Sequence, residues 1–140
     1  MSLKVHITAH MIKNEDLNHH GTLFAGKTAM WFVEAGFIAA ADLAGPKNIV
    51  LKSVHEINFT KPVYMGSVIR FESKVIIAKN ARLVTYVKVV DNFNEDFILD
   101  GYISFIHIDK TGRSLPHNID IGSLEPEDTA LQEKAKKLYK

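Results

Sequence analysis

The sequence predicts an α+β domain in which one antiparallel sheet wraps around a single long helix. An almost wholly apolar segment from about residue 24 to 43 ends at Gly45-Pro46, a combination that stops helices. The segments around it alternate apolar and polar residues and are separated by turn residues, as strands are. Because an apolar helix must be buried on nearly every side, a curved sheet is its most economical cover. One sheet cannot enclose the helix entirely, so we expect an obligate homodimer.

The element order is strand, long helix and then four strands joined largely by tight turns. The predicted strands cover residues 3–12, 48–59, 67–77, 82–90 and 97–109, the helix covers about 24–43, and a hairpin turn covers 78–81. A single domain spans residues 1–112, and residues 113–140 form a C-terminal extension. Within this extension, a capping pattern that starts at Ser123 predicts a short, exposed helix.

Composition and charge exclude several classes of function. With 17 Lys and Arg against 16 Asp and Glu and no strongly basic run, the chain has no signature of nucleic-acid binding. It has no cysteine, which removes disulfides, cysteine-ligated zinc and a thiol nucleophile. The N-terminal residues alternate and do not form a signal, and the longest apolar stretch is too short to span a bilayer. We therefore expect a cytoplasmic protein without a membrane partner.

Glu34 is the only carboxylate between Asn18 and Ala41. A carboxylate on a helix that is predicted to be buried is costly unless it is paired, hydrogen-bonded or protonated. Glu34 is therefore a candidate for a group that does chemistry. The alternative is a structural acid that bonds Lys27, on the same helix face, or a residue of a second subunit.

Two short blocks, one at the start of the predicted helix and one after the following strand, form a characteristic pair. Their residues are Asn18, Gly21 and Phe24-Ala25-Gly26 followed by WFVEA (31–35) in the first block, and INFTKPVYMG (57–66) in the second. At this separation and in this element order, the chain resembles the hotdog-fold acyl-CoA thioesterases over roughly residues 3–110.

The resemblance implies a hotdog fold and the hydrolysis of an acyl-CoA thioester to a free acid and CoA. Coenzyme A would enter as part of the substrate, with no separate cofactor. The resemblance also implies a homodimer that can assemble further into a tetramer or hexamer.

One position departs from the family pattern. In the subgroup with this Asn-x-x-Gly block, the catalytic acid is usually an Asp at the position that Val33 occupies here. Glu34 follows directly, but one step along a helix rotates a side chain by about 100°. Either the role of the acid has moved to Glu34, or it has been lost and the chain is a non-catalytic acyl-CoA-binding or regulatory domain.

Thioester hydrolysis needs a base or nucleophile for the acyl carbon and donors for the developing oxyanion. We expect the backbone N–H groups near Ala25 and Gly26, at the helix N-terminus, to polarise the thioester carbonyl. Glu34 would activate water as a general base or attack as a nucleophile. Asn18 could donate to the carbonyl or orient the water, and His20 could act as a base or donor near neutral pH. Either of these two could instead be an ordinary loop residue.

Coenzyme A carries phosphates, so a rim of basic and amide side chains is expected around the binding groove. The candidates are Lys61, Lys79, Asn80 and Arg82, each of which could also be a solvated surface residue. His19 and His20 are adjacent and have no third ligand spaced with them, so no metal site is predicted.

Two further interpretations stay open. A hotdog dehydratase that acts on 3-hydroxyacyl thioesters pairs a His with an acid near the helix, and His20 or His55 could serve. The His-Phe-Pro-Gly motif that is usual in those enzymes is absent from this chain. A purely structural role is the other possibility, and it would leave Glu34 unexplained.

Overall fold

The computed structural model describes residues 3–139, so residues 1, 2 and 140 of the predicted domain and extension lie outside the described part. Within residues 3–139 the chain forms five strands and two α-helices. The strands are β1 His6–Met11, β2 Ile49–His55, β3 Val68–Lys79, β4 Arg82–Asp91 and β5 Phe97–His107, and the helices are α1 Ala25–Ala44 and α2 Pro126–Lys136. Neither helix is long and apolar enough to cross a membrane.

The strands form one antiparallel sheet in the order β1-β3-β4-β5-β2, and α1 lies against its inner face. The main core fills the space between helix and sheet, and its largest members include Trp31, Phe32, Phe71, Leu83, Ile103 and Phe105. β1 and β2 are the two free edges of the sheet. This is the predicted arrangement of one sheet wrapped around one long helix.

Two strand ends differ from the prediction because of left-handed residues. β2 ends at His55 and not at residue 59, since Glu56 has a φ of 56°, which an extended strand cannot continue. β3 runs to Lys79, two residues beyond the prediction, and the hairpin turn narrows to Asn80 and Ala81. Asn80 takes a φ of 57°, a conformation that Asn tolerates better than most residues.

Close approach at Gly36 sets the distance between α1 and the sheet. A Cβ atom at this position would lie 2.6 Å from Ile103 Cδ1 and 2.7 Å from Thr85 Oγ1, so glycine is what lets the helix pack this tightly. One residue earlier, the carbonyl of Ala35 accepts a buried hydrogen bond of 2.7 Å from Ser73 Oγ. The two contacts fix the height and rotation of α1 above the central strands.

α1 is not buried on every side, which corrects the expectation from its apolar sequence. Met30, Glu34 and Ile38 are spaced four residues apart, are exposed, and form one stripe along the helix. We call this stripe the open face of α1. It includes Met30, which is 53% exposed, so the single chain leaves apolar surface uncovered here.

β1 presents polar side chains inward and apolar side chains outward. His6, Thr8 and His10 are half-buried on the side of α1, whereas Ile7 and Met11 are 59% and 58% exposed. The alternation predicted for this strand is present, but the face that covers the helix is the polar one.

The C-terminal extension packs α2 on the outer face of the sheet. A second apolar cluster joins them, and its buried members are Ile76, Ile77, Val84, Tyr86, Tyr102 and Ala135. Gln132 Nε2 donates a 2.8 Å hydrogen bond to the carbonyl of Ile76, which sits at a bulge in β3. The buried carboxylate of Asp128 pairs with Lys74 of the same strand.

These contacts correct two expectations about the extension. The helix begins at Pro126, with Glu125 at its N-cap and no side-chain cap, so Ser123 does not cap it. The helix is also not simply exposed, because Asp128 and Ala135 on its inner side are buried. An ion pair and a hydrogen bond from a side chain to a backbone carbonyl hold α2 to the sheet, and the sequence reveals neither contact.

We predict that Lys74→Met lowers the free energy of unfolding by about 3–5 kcal/mol, because it leaves the Asp128 carboxylate buried without its cation. The double variant Lys74→Met/Asp128→Leu should recover most of this loss, since an apolar pair often replaces a buried ion pair without cost. Urea unfolding measures both. The matched control is Lys136→Met, which breaks the exposed pair with Glu133 on the same helix and should cost below about 1 kcal/mol. Equal losses at the two lysines would contradict the prediction.

Candidate active site

The two sequence blocks lie side by side at the N-terminal end of α1. The N–H of Leu23 donates a 2.7 Å hydrogen bond to the carbonyl of Val63, and Thr22 forms an antiparallel bridge with Tyr64. Together with the sheet they border a cavity of about 300 Å³. Its polar lining includes Asn18, Thr22, Thr28, Thr60 and Lys61, and its apolar lining includes Ile69, Val89 and Leu99.

Asn18 organises the loop before the helix and also lines the cavity. Its Oδ1 accepts the backbone N–H groups of His20 at 2.8 Å and Thr22 at 3.2 Å, and its Nδ2 donates to Thr22 Oγ1 at 3.1 Å. The backbone donors identify which amide atom is the oxygen. One hydrogen of Nδ2 is left over, so Asn18 can form the turn and still donate to a ligand.

The N-terminus of α1 offers two free backbone donors. Phe24 is the N-cap residue, and its carbonyl accepts the N–H of Lys27 at 3.0 Å. The N–H groups of Ala25 and Gly26 have no acceptor within residues 3–139. A Cβ atom at Gly26 would overlap Cε2 of the Phe24 ring, so a larger residue here would displace that exposed ring. These donors lie at the positive end of the helix dipole, which favours a developing oxyanion.

Asp16 ties the loop to the helix, and the sequence analysis did not single it out. Its carboxylate is 2% exposed, accepts the backbone N–H of Lys13 at 2.9 Å and pairs with Lys27 Nζ at 3.4 Å. The hydrogen bond from Lys13, followed by the contact with Lys27, holds the pKa of Asp16 below its usual value. The carbonyl of Asp16 also accepts the N–H of Phe24 at 2.9 Å. Lys27 is therefore engaged by Asp16 and is not the partner of Glu34.

Glu34 lies outside the cavity of a single chain. It belongs to the open face of α1, eight residues and about 12 Å along the helix axis from Gly26. No hydrogen bond or ion pair joins its carboxylate to another residue in the range 3–139. The preceding Val33 packs against the main core. Of these two neighbouring positions, only Glu34 is free to act on the open side of the helix.

Two other predicted site residues differ in how they relate to the cavity. Lys61 lines it, and its Nζ donates a 2.6 Å hydrogen bond to the carbonyl of Phe97. His20 is exposed and does not line it, and its ring lies against that of His19 with centroids 3.9 Å apart. No group of three or more possible metal ligands occurs among the described residues.

The remaining predicted phosphate contacts lie at the opposite end of the sheet. Lys79, Asn80 and Arg82 border a separate groove at the β3–β4 turn. Ten residues of β3 separate Lys79 from Ile69 of the cavity, a distance of about 33 Å along the strand. Arg82 Nη1 also donates to Ser104 Oγ at 3.2 Å. Within one chain, these three residues are not brought to the cavity.

Three threonines of the cavity were missed by sequence reasoning. Thr22 and Thr60 belong to the two blocks, and Thr28 lies on the inner side of α1, two residues after Gly26, where it is 5% exposed. These residues line the same cavity as Ala25, so their hydroxyl groups are candidates to orient a carbonyl or a water molecule. A buried Thr at the start of an apolar helix was the only sequence signal for Thr28.

We predict that Asp16→Asn destabilises the protein most near neutral pH. The folded-state pKa of Asp16 is lowered, so its stabilisation is complete above the unfolded pKa of about 3.9 and is lost as the pH falls through the folded value. The difference in unfolding free energy between the wild type and the variant should therefore shrink between about pH 6 and pH 3. Urea unfolding at several pH values measures it, with the exposed neighbour Glu15→Gln as control. A difference that stays constant with pH would count against this assignment.

Comparison with known proteins identifies relatives of the chain. Residues 20–95 match the sequence model of the thioesterase superfamily. The uncharacterized acyl-CoA thioester hydrolase YkhA of Bacillus subtilis (strain 168) is 25% identical over 105 residues, which are 72% of this chain and 60% of that protein. The chain therefore spans less than two thirds of the length of this relative.

Solved structures share the fold across nearly the whole chain. The acyl-CoA hydrolase of Staphylococcus aureus, solved with butyryl-CoA, CoA and CoA disulfide, has a TM-score of 0.82 at 20% identity and covers 98% of this chain and 84% of its own. The acyl-CoA hydrolase of Bacillus cereus has a TM-score of 0.83 at 20% identity, with 95% and 82% covered. The hexameric thioesterase y2039 of Yersinia pestis has a TM-score of 0.72 at 18% identity, with 81% and 94% covered.

At these identities the structural likeness establishes the fold, and the predicted hotdog fold is confirmed. The family match is independent of that likeness, and it covers the start of α1 and the second block beside the cavity. Since the matched residues 20–95 make up more than half of the chain, the protein belongs to the thioesterase superfamily.

Proposed function

We propose that the chain is an acyl-CoA thioesterase that hydrolyses an acyl-CoA thioester to a free acid and CoA. The observation that carries the proposal is the convergence of free donors on one cavity. Asn18 and Ala25 line the cavity, Asn18 Nδ2 keeps a spare hydrogen, and the N–H groups of Ala25 and of the next residue, Gly26, are unbonded. The hydrolases of B. subtilis and S. aureus named above support the same chemistry.

The distribution of polar and apolar residues around the cavity supports one orientation of the substrate. A volume of about 300 Å³ is at the lower end for ligand pockets and suits the acyl group, with its apolar lining against the sheet. The thioester carbonyl then lies at the N-terminus of α1, and the phosphates of CoA lie outside, near Lys61. Lys79, Asn80 and Arg82 can take part only from a second copy, because they lie at the far end of their own sheet.

A second copy of the chain would also bring Glu34 close to the N-terminus of an α1 helix. Met30 lies midway between Gly26 and Glu34 and is exposed on the open face. If two α1 helices pack antiparallel with a two-fold axis at Met30, Gly26 of one chain faces Glu34 of the other. The same contact covers Met30 and Ile38, the exposed apolar residues of the open face. We therefore propose a homodimer with shared sites, which can assemble further into a tetramer or hexamer.

In this arrangement the reaction needs no group beyond the chain and water. The Glu34 carboxylate takes a proton from water while the water oxygen bonds to the acyl carbon. The carbonyl oxygen becomes an oxyanion that the N–H groups of Ala25 and Gly26 bind. The carbon–sulfur bond then breaks, the CoA thiolate takes the proton back from Glu34, and the acid is released. Coenzyme A takes part only as a portion of the substrate.

One observation favours a second candidate, a non-catalytic acyl-CoA-binding domain. Val33 packs against the core at the position where the related subgroup carries its acid, so the cavity of a single chain has no carboxylate among its lining residues. This candidate keeps the cavity and its donors but gives Glu34 no part in chemistry. It predicts saturable acyl-CoA binding without turnover.

We predict that Glu34→Gln lowers kcat for thiol release by about 10²–10⁴-fold, the range for loss of a general base. Asn18→Ala should also lower kcat/KM, because it removes a cavity donor and loosens the loop. A panel of short, long and aromatic acyl-CoAs provides the assay. Asp42→Asn, which removes a carboxylate from the far end of the same helix, is the control and should retain turnover. Undiminished activity of Glu34→Gln would remove Glu34 from the mechanism, and binding without turnover in the wild type would favour the binding domain.

We further predict that Gly26→Val and Glu34→Gln, each inactive alone, restore activity when their chains are mixed. If each site takes Gly26 from one chain and Glu34 from the other, every mixed dimer has one intact site. Random mixing should then give about a quarter of the wild-type rate, since half of the dimers are mixed and half of their sites are intact. Coexpression of the two variants followed by the thiol-release assay measures this. No recovery in demonstrably mixed dimers would place both groups in one chain.

A further inference from the structure

The polar inner face of β1 carries a set of buried atoms that the proposed mechanism does not use. His6 Nδ1, Thr8 Oγ1 and His10 Nε2 are buried and have no hydrogen-bond partner within residues 3–139. Buried polar atoms in folded proteins almost always have a partner. We therefore expect at least one of these atoms to gain a hydrogen-bond partner that the single chain does not supply.

The ring of His10 is held in a fixed orientation. It stacks on Trp31 of α1, with ring centroids 4.1 Å apart and an interplanar angle of 7°, and it meets Phe71 of β3 edge-on at 5.8 Å. β3 adds no charged side chain on this face, since Arg70 lies on the other face and pairs there with Glu72. The direction of His10 Nε2 is therefore set by aromatic packing.

Charged side chains at both ends of α1 are paired with residues of β1 or of the segments that flank it. At one end Lys27 pairs with Asp16, and at the other end Asp42 accepts hydrogen bonds from Lys4 and from His6 Nε2. Glu34 lies between them on the helix and has no such partner. Glu34 therefore has no donor, and on the facing strand the ring of His10, unlike that of His6, makes no side-chain hydrogen bond within residues 3–139.

Helix geometry brings these two groups within reach of each other. Trp31 and Glu34 are three residues apart, so their side chains are neighbours on the helix surface with Cβ atoms about 5–6 Å apart. The ring of His10, which stacks on Trp31, therefore lies over the part of α1 that carries Glu34, and Glu34 is the carboxylate that acts most strongly on the pKa of His10.

We propose that His10 is a positioning residue for Glu34 and that its Nε2–H donates a hydrogen bond to the Glu34 carboxylate in the assembled dimer. The inference rests on the proposed function, in which a second copy covers the open face and removes water from Glu34. A neutral donor orients one carboxylate oxygen and leaves the other free for the attacking water. It also leaves the negative charge in place, which a general base requires.

Burial and the charges around His10 favour the neutral form of its imidazole. Burial lowers the pKa of His10, and Glu34 is the strongest of the nearby charges that oppose this shift. Asp16 also raises the pKa of His10, while Lys13 and Lys27 lower it. The imidazole is therefore neutral near pH 7 and can carry its one hydrogen on Nε2.

The kinetic test uses variants that separate the donor from the stacking. His10→Phe keeps an aromatic ring against Trp31 but has no donor. It should lower kcat by about 10–100-fold, taken by analogy from the loss of hydrogen-bond partners that orient metal ligands, with KM little changed. His10→Gln returns a donor and should recover part of the loss. His6→Phe, the same change on the same strand face, is the control and should retain wild-type kcat. Melting temperature and oligomeric state confirm that each variant is folded and assembled. A wild-type kcat in His10→Phe would overturn the inference while leaving the proposed function intact.

A second measurement does not require turnover. Titration of His10 by NMR should show a lower pKa in Glu34→Gln than in the wild type, because the variant removes the charge that opposes burial. The pKa should not change in Asp42→Asn. An unchanged His10 pKa in Glu34→Gln would exclude the contact. If the wild type hydrolyses no acyl-CoA, the proposed function fails, and this titration alone decides whether His10 and Glu34 interact.

Discussion

The close packing of α1 on the sheet at Gly36 determines where the functional groups of the helix lie. The absent side chain lets the helix reach Thr85 and Ile103, and the hydrogen bond from Ser73 to the neighbouring carbonyl prevents rotation. Each residue of a helix has a fixed height and angle relative to the others, so anchoring one turn positions them all. Ala25 at the start of the helix then lines the cavity, and Glu34 faces outward. A side chain at Gly36 would move the free N–H groups and Glu34 together.

In the proposed function, the outward direction of Glu34 makes the homodimer part of the chemistry. Inside one chain, the acid is too far along the helix from the N–H groups of Ala25 and Gly26 to share a substrate with them. Burial of the apolar residues on either side of Glu34 is favourable in itself. The proposed helix–helix contact would bury these residues and also bring Glu34 close to the N–H groups of the other chain. On this view, the surface that stabilises the dimer also desolvates the base, so loss of the contact would reduce stability and activity at the same time.

The sequence predicted the fold well because its elements are long and strongly patterned, and it failed where contacts join distant segments. Glu56 in a left-handed conformation ended β2 early, which no pattern of apolar residues reveals. The apolar sequence of α1 correctly predicted burial against the sheet, but it did not show that one stripe of the helix stays exposed in a single chain. At the site, Asn18 and Ala25 belong to a local loop–helix motif, and the structure places both on the cavity. The contacts of Asp16 and His10 depend on how β1 and its loop meet the helix, so sequence spacing gave no access to them.

The substitution at Val33 has a physical explanation that connects these points. A carboxylate at that position would lie against the core, where it would need a dedicated set of donors. Valine removes that requirement and improves the packing of α1. An acid at Glu34 costs a single chain little, because it is solvated. In the homodimer that we propose, the second copy would desolvate this carboxylate, so the base would be most reactive in the assembled state. An acid placed in this way needs a donor that is already buried and fixed before assembly, and on this side of α1 His10 is the group whose ring nitrogen fits that description.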